Sequence, residues 1–186
     1  MGVDLRGQLQ RGYRAIETGD VTDVDEFIAP DWMLQHERFE PAAARQAGPN
    51  GFAAMVEWLR SVYSDLAVEV HECTVDDDQV IAYVTLRGRQ TGPLVLRTGD
   101  SVRVFPPSRR RFAVEHVHLA RFDERGRALT YDAVRDDLEL LAQLGHVPPD
   151  VWARWLRFAW AITGRRAAIE REFGGHVDAE RLVAAG

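Results

Sequence analysis

The sequence predicts an α+β fold, with helices gathered at the front, a run of antiparallel strands behind them, and a further helical segment at the end. Two observations carry this. Apolar residues recur at helical spacing through about Val62, then switch to a period of two after Ser64–Asp65. The strands that follow are separated by turns rather than by helices, which is the α+β pattern and not an alternating α/β one.

The elements follow in order. Between Val3 and Thr18, Leu5, Leu9, Tyr13 and Ile16 form one stripe, so this is an amphipathic helix, and Gly19 stops it. Asp20 or Thr22 is expected to cap a short second helix ending near Ala29–Pro30. Trp32 to Gln35 reads as extended chain with His36 at its end, and a loop rich in Ala, Gly and Pro follows. Asn50 opens a third helix that buries Phe52, Met55, Val56 and Leu59, with Trp58 and Val62 able to widen the stripe. Strands are expected from Leu66 to Val70, Val80 to Arg87, Val95 to Phe105 (broken), Phe112 to Phe122 and Arg127 to Val134. Asp123–Glu124–Arg125–Gly126 is a hairpin connection in which Gly supplies a positive φ.

Composition narrows the function. The chain has 186 residues, 46% of them hydrophobic, enough for one domain with a substantial core. Its net charge of −6 argues against a nucleic-acid partner, and Arg109–Arg110–Arg111 is read as a solvated turn. No apolar run is long enough for stable membrane insertion, and no signal-peptide pattern opens the chain, so a cytoplasmic location is expected. Cys73 is the only cysteine, which excludes an internal disulfide and a cysteine zinc cage. Lysine is absent, which removes Schiff-base chemistry through a lysine side chain.

The chemistry concentrates between Glu115 and Gly145. Residues two apart on a strand share a face, so His116 and His118 point the same way among Val114, Ala120 and Phe122. On the next strand Thr130, Asp132 and Val134 share a face, with Asp132 its only ionisable group. Ionisable groups on apolar strand faces are costly unless paired or used, which marks a candidate active-site wall. Arg135–Asp136–Asp137 stands at the start of a helix, where acids are favoured by the dipole; it is read as cap and exposed charge.

The order of elements, GDVTDVDEFIAPDWMLQH near the start and TYDAVRDDLELLAQLG at the end of the sheet resemble the SnoaL-like family of polyketide cyclases, within the NTF2-like superfamily. The resemblance covers Leu5 to Gly145. It implies a cone: a curved antiparallel or mixed sheet packed on the N-terminal helices around a deep apolar pocket, and a homodimer. It also implies a hydrophobic polyketide-type substrate, no cofactor, and an aspartate acid/base supported by a histidine on the neighbouring strand. Asp132 and His118 match those two positions. Many relatives without demonstrated cyclase activity have Trp where this chain has Asp132, so the carboxylate favours chemistry.

The expected reaction is an intramolecular aldol closure. Asp132 would take a proton beside a carbonyl, while His118, or His116, donates to the enolate oxygen or holds Asp132. Tyr13 would orient a carbonyl, and His36 and Trp32 would line the pocket. Two other chemistries use the same residues. Asp132 with a histidine and Tyr13 can open an epoxide, giving an ether ring or a diol. His116 and His118 with Glu124 resemble half of a cupin metal motif, but no second half follows. A non-catalytic binding protein is the third alternative.

Residues 1–145 are therefore read as the SnoaL-like domain and 146–186 as a helical extension. In the extension Val151, Trp152, Trp155, Leu156, Ala159 and Ile162 form a stripe, expected to pack on the domain or across a dimer, with a lid over the pocket or a basic amphipathic helix on a membrane surface as the alternatives.

Overall fold

The structure, a computed structural model, describes residues 3–35, 41–98, 101–148 and 151–171. Helix α1 (Leu5–Thr18) buries Leu9, Tyr13 and Ile16 as the stripe predicts, and Gly19 ends it in the left-handed conformation (φ 81°). The short α2 (Val24–Phe27) starts from Asp23, not from Asp20 or Thr22. Asp20 instead accepts from the Thr22 backbone and hydroxyl, closing a local turn that competes with capping. Strand β1 (Ile28–Leu34) begins at once, so Pro30 lies in an edge strand. After one 3-10 turn (Ala42–Arg45), α3 (Pro49–Val62) buries Phe52, Met55, Val56 and Val62, while Leu59 and Trp58 are half-buried.

The main sheet is built from β1, β2 (Tyr63–Asp76), β3 (Gln79–Gln90), β6 (Arg111–Phe122) and β7 (Ala128–Arg135), in the order β1-β7-β6-β3-β2. It is mixed rather than a plain meander, because β1 joins β7 in parallel. The broken third strand expected from Val95 to Phe105 is a separate hairpin, β4 (Leu94–Thr98) with β5 (Ser101–Phe105), set apart as a second two-stranded sheet. The Asp123–Gly126 connection has Gly126 at φ 77° as expected.

Helix α4 (Asp137–Gln143) closes the domain. Asp136 caps it, its carboxylate accepting from the Glu139 N–H at 2.9 Å. The Gln-Leu-Gly ending has a physical reason at each position. The Gln143 amide grips the Ala113 backbone through both its oxygen (2.8 Å) and its nitrogen (3.0 Å). Leu144 is fully buried, and Gly145 turns the chain at φ 77°. Beyond it, α5 (Val151–Ile162) docks through Ala153, with Leu156, Arg157 and Trp160 partly covered. The aromatic stripe faces the other way. Trp152, Trp155, Phe158 and Ile162 are all more than half exposed within the single chain, contrary to packing on their own domain.

Candidate active site

The inner face of the sheet is read directly from β6, where Phe112, Val114, His116, His118, Ala120 and Phe122 are buried and the alternate residues are more open. Both histidines therefore face the helices, as their spacing predicts. Asp132 does not share that face. Residues directly opposite one another in an antiparallel pair project to the same side, and the pairs here are His116 with Arg135, His118 with Ala133, Leu119 with Asp132 and Ala120 with Tyr131. The cause is one residue. At the hairpin end Phe122 pairs with Ala128, but its neighbour Arg121 pairs with Thr130, so Leu129 is a bulge. Without that bulge His118 would lie opposite Asp132; with it, every β7 side chain after the bulge changes face. Tyr131, Ala133 and Arg135 become the inward set.

Asp132 still lines the same cleft as the histidines, half-buried, with its carboxylate accepting from the Ala133 N–H at 2.8 Å. This cleft holds ≈ 660 Å³ of empty space, its mouth included, between α1, α3 and the sheet, and its polar wall is His116, His118, Asp132 and Arg135. A second, more apolar chamber of ≈ 390 Å³ lies behind it and shares Ile16, Met55 and Tyr131 with it. Trp32 belongs to the inner chamber. It is 1% exposed and meets Phe52 edge-to-face at 5.6 Å, so it is a core wall rather than a residue at the mouth. His36 lies outside the described residues.

Tyr13 reaches from α1 to the sheet and forms the first link of a buried hydrogen-bonded chain. Its hydroxyl is 2.9 Å from His118 Nδ1, and His118 Nε2 is 3.2 Å from His116 Nδ1. Tyr131 packs its ring on His118 at 5.3 Å. Burial, and secondarily the Arg135 charge, pushes His116 down to about 4. Burial, the neighbouring His116 and Arg135 push His118 down to about 3, so both rings are neutral at pH 7. Burial drives the Tyr13 hydroxyl upward, so it keeps its proton.

The tautomers of the two rings follow from where the Tyr13 proton goes. A phenol that keeps its proton can donate it to His118 Nδ1, 2.9 Å away. His118 then carries its proton on Nε2 and donates it to His116 Nδ1. His116 in turn carries its proton on Nε2, the nitrogen left for the cleft that this residue lines. His118, expected to meet the substrate, has both nitrogens engaged inside the protein; His116 is the ring with a nitrogen to spare. Because the two rings bond to one another, they do not present paired nitrogens to a common ion, and Glu124 sits in the β6–β7 turn.

Arg135, expected to belong with the helix cap and exposed charge, lies instead in the cleft wall opposite His116, 3.0 Å from Asp137. Asp137 is correspondingly more enclosed than the exposed charge expected of it, with its side chain 22% exposed. The sequence signal for Arg135 was its phase with Tyr131 and Ala133, which becomes visible only once the bulge is known.

Comparison with known proteins bears on the fold and the family. The family profile described as SnoaL-like polyketide cyclase matches residues 7–144. The chain is 35% identical to nogalonic acid methyl ester cyclase of Streptomyces nogalater over 141 residues, covering 73% of this chain and 93% of the relative. It is 32% identical to an aklanonic acid methyl ester cyclase of Streptomyces peucetius over 146 residues, covering 76% of this chain and 90% of that protein. Among solved structures, TsrD from Streptomyces laurentii is similar with a TM-score of 0.62 and 25% identity, over 76% of this chain and 95% of that one. A SnoaL-like polyketide cyclase from Agrobacterium tumefaciens, at 15% identity and a TM-score of 0.57, covers 76% of this chain and 98% of its own and shares the fold.

Proposed function

The chain belongs to the SnoaL-like polyketide cyclase family and is an enzyme of that type, and from this premise we propose that it closes a ring in a polyketide carboxylic acid methyl ester by an intramolecular aldol reaction. The substrate class is taken from the relatives, which act on nogalonic and aklanonic acid methyl esters. No cofactor takes part, because the reaction is an isomerisation: one C–H proton is removed, one C–C bond forms, and one proton returns to an alkoxide.

Asp132 alternates away from the histidines along β7 but is the one carboxylate in the described lining of the cleft, and it takes the proton from the carbon beside the ester carbonyl. His116 donates its Nε2–H to the enolate oxygen as charge develops there. Tyr13 and His118 do not touch the substrate; they hold the proton of His116 on the nitrogen facing the cleft. Arg135, opposite His116 on the same face, adds a fixed positive charge beside the developing anion. A neutral imidazole donor suits the task, since it need not surrender its proton before the carbon–carbon bond is made. The inner apolar chamber folds the substrate so that its reacting carbons approach contact distance.

The single observation that carries this reading is the Tyr13–His118–His116 chain, which leads from the helix layer to the cleft through two uncharged imidazoles. It is tested by incubating the purified protein with nogalonic or aklanonic acid methyl ester without added cofactor and following product by chromatography. Conversion to an isomer of equal mass is expected. Substrate returned unchanged, or a product heavier by one water, would contradict ring closure.

A further inference from the structure

A second polar cavity lies away from the cleft, between β5 and α5, and shares no lining residue with it. It is an open groove of ≈ 620 Å³, mouth included, walled by Arg103, Arg157, Arg166, Phe105 and Trp160. Three guanidinium groups thus converge on one space whose described lining contains no carboxylate. Arg166 Nε donates to the Glu170 carboxylate at 2.8 Å, and Glu170 is not among the residues lining the groove. Arg157 donates one N–H to the His146 carbonyl at 2.7 Å, and its guanidinium carbon stands 5.1 Å from the Phe105 ring centroid. Its Nε is buried with no acceptor among the described residues. Burial, then Arg103 and Arg166, weaken the hold of Arg157 on its proton, the mark of cations gathered without enough compensation.

Docking of α5 accounts for Arg157, which ties the helix to His146 and Phe105. It does not account for Arg103, on another element, or for Arg166, one turn past the end of α5. Mutual repulsion of this kind is relieved by an anion, and guanidinium forks match the oxygens of a phosphoryl group in pairs. Beside them Phe105 and Trp160 offer flat apolar surface, suited to a planar or hydrocarbon body.

We propose that this groove binds an organic phosphate, its phosphoryl group held by Arg103, Arg157 and Arg166 and its apolar body lying against Trp160 and Phe105. The same chemistry is offered by a small phosphate ester and by a phospholipid headgroup. Calorimetry on the full chain with phenyl phosphate, with inorganic phosphate and with phosphatidylglycerol vesicles separates the two, sodium chloride of equal ionic strength being the reference. Arg103→Gln and Arg166→Gln are the variants, since neither residue belongs to the cleft.

Saturable binding of phenyl phosphate, tighter than inorganic phosphate and weakened about tenfold or more by either substitution, is the expected result for a small ester (~1.4 kcal/mol each). Vesicle binding that falls with the same two substitutions, without binding of phenyl phosphate, assigns the site to a headgroup. No saturable heat from any probe beyond the salt reference overturns the proposal. So does binding that both variants leave unchanged, or vesicle binding lost only when Trp152 and Trp155 are replaced by Ser. Cyclase activity is not the readout, so the outcome is independent of the reaction proposed for the cleft.

Discussion

The cleft and the groove beneath α5 both gather ionisable side chains against aromatic surface, and they do so in opposite ways. In the cleft the imidazoles are deeply buried, give up their charge, and satisfy one another: Tyr13 bonds His118, and His118 bonds His116. In the groove the arginines cannot give up theirs. They stay charged, stand at the surface or only partly covered, and are left with excess positive charge facing a cavity. Neutral, hydrogen-bonded groups in a dry pocket suit moving or placing a proton. Clustered fixed charges at an open mouth suit holding an anion. The groove straddles the family boundary, because the family profile ends at residue 144: β5 lies inside it and α5 beyond it.

The sharpest way to break this division is to act on the cleft alone. Asp132→Asn is expected to lower kcat on the methyl ester substrate by about 10²- to 10⁴-fold, the range for loss of a general base, while circular dichroism stays unchanged. An unaltered kcat would place the base elsewhere. His116→Gln keeps a hydrogen-bond donor but loses the imidazole geometry, and a fall of about 10²-fold is expected in kcat with KM changed far less. If His118→Gln proves as severe in kcat while His116→Gln is mild, the ring that meets the substrate has been misassigned.

Acid stability distinguishes the regions next. Both cleft histidines are held below their unfolded value near 6.5, to about 4 and about 3. Between 6.5 and those values the unfolded chain binds more protons than the folded one, so stability rises with pH there. The contribution is complete above about 6.5 and is lost as pH falls toward 3. Each pH unit in that window costs ~1.4 kcal/mol per histidine. Urea midpoints measured from pH 7 to pH 4 should therefore drop steeply in the native chain and less steeply in a His116→Gln, His118→Gln double variant. Equal slopes would mean that the imidazoles are not buried neutral. The groove, whose arginines do not titrate in this range, should add nothing to the slope.

The smallest effect is expected from removing the extension. A chain ending at Gly145 should keep kcat within a few-fold, because no residue of α5 lines the cleft. It should lose phenyl phosphate binding, since Arg157, Arg166 and Trp160 go with it. A large loss of turnover in a still-folded truncation would instead tie the two regions into one site.

Much of the fold was legible because period and punctuation agree. The α1 stripe, Gly19, Gly126 and the alternation of β6 all behave as their residues require. The facing of Asp132 was not legible. Alternation establishes that Thr130, Asp132 and Val134 share a side but not which side, and that choice rests on a bulge whose only trace is the adjacent apolar pair Ala128–Leu129. Tyr13 was read correctly as inward, but its partner is 105 residues away in sequence, so the hydrogen-bonded chain needed the packing of α1 on the sheet. Arg135 was hidden for the same reason as Asp132. The orientation of α5 eluded the pattern because its apolar stripe is real but points outward, while the small Ala153 makes the close contact.

The claim on which the reaction rests is that a neutral chain places the His116 proton on the nitrogen facing the cleft. Nitrogen-15 NMR of the imidazoles at pH 7 tests it most directly. Tyr13 donating to His118 predicts two neutral rings, both protonated on Nε2, with the His116 signal shifting toward a tautomer mixture in Tyr13→Phe. A His116 ring protonated on Nδ1, or an imidazolium at either position at pH 7, would contradict it.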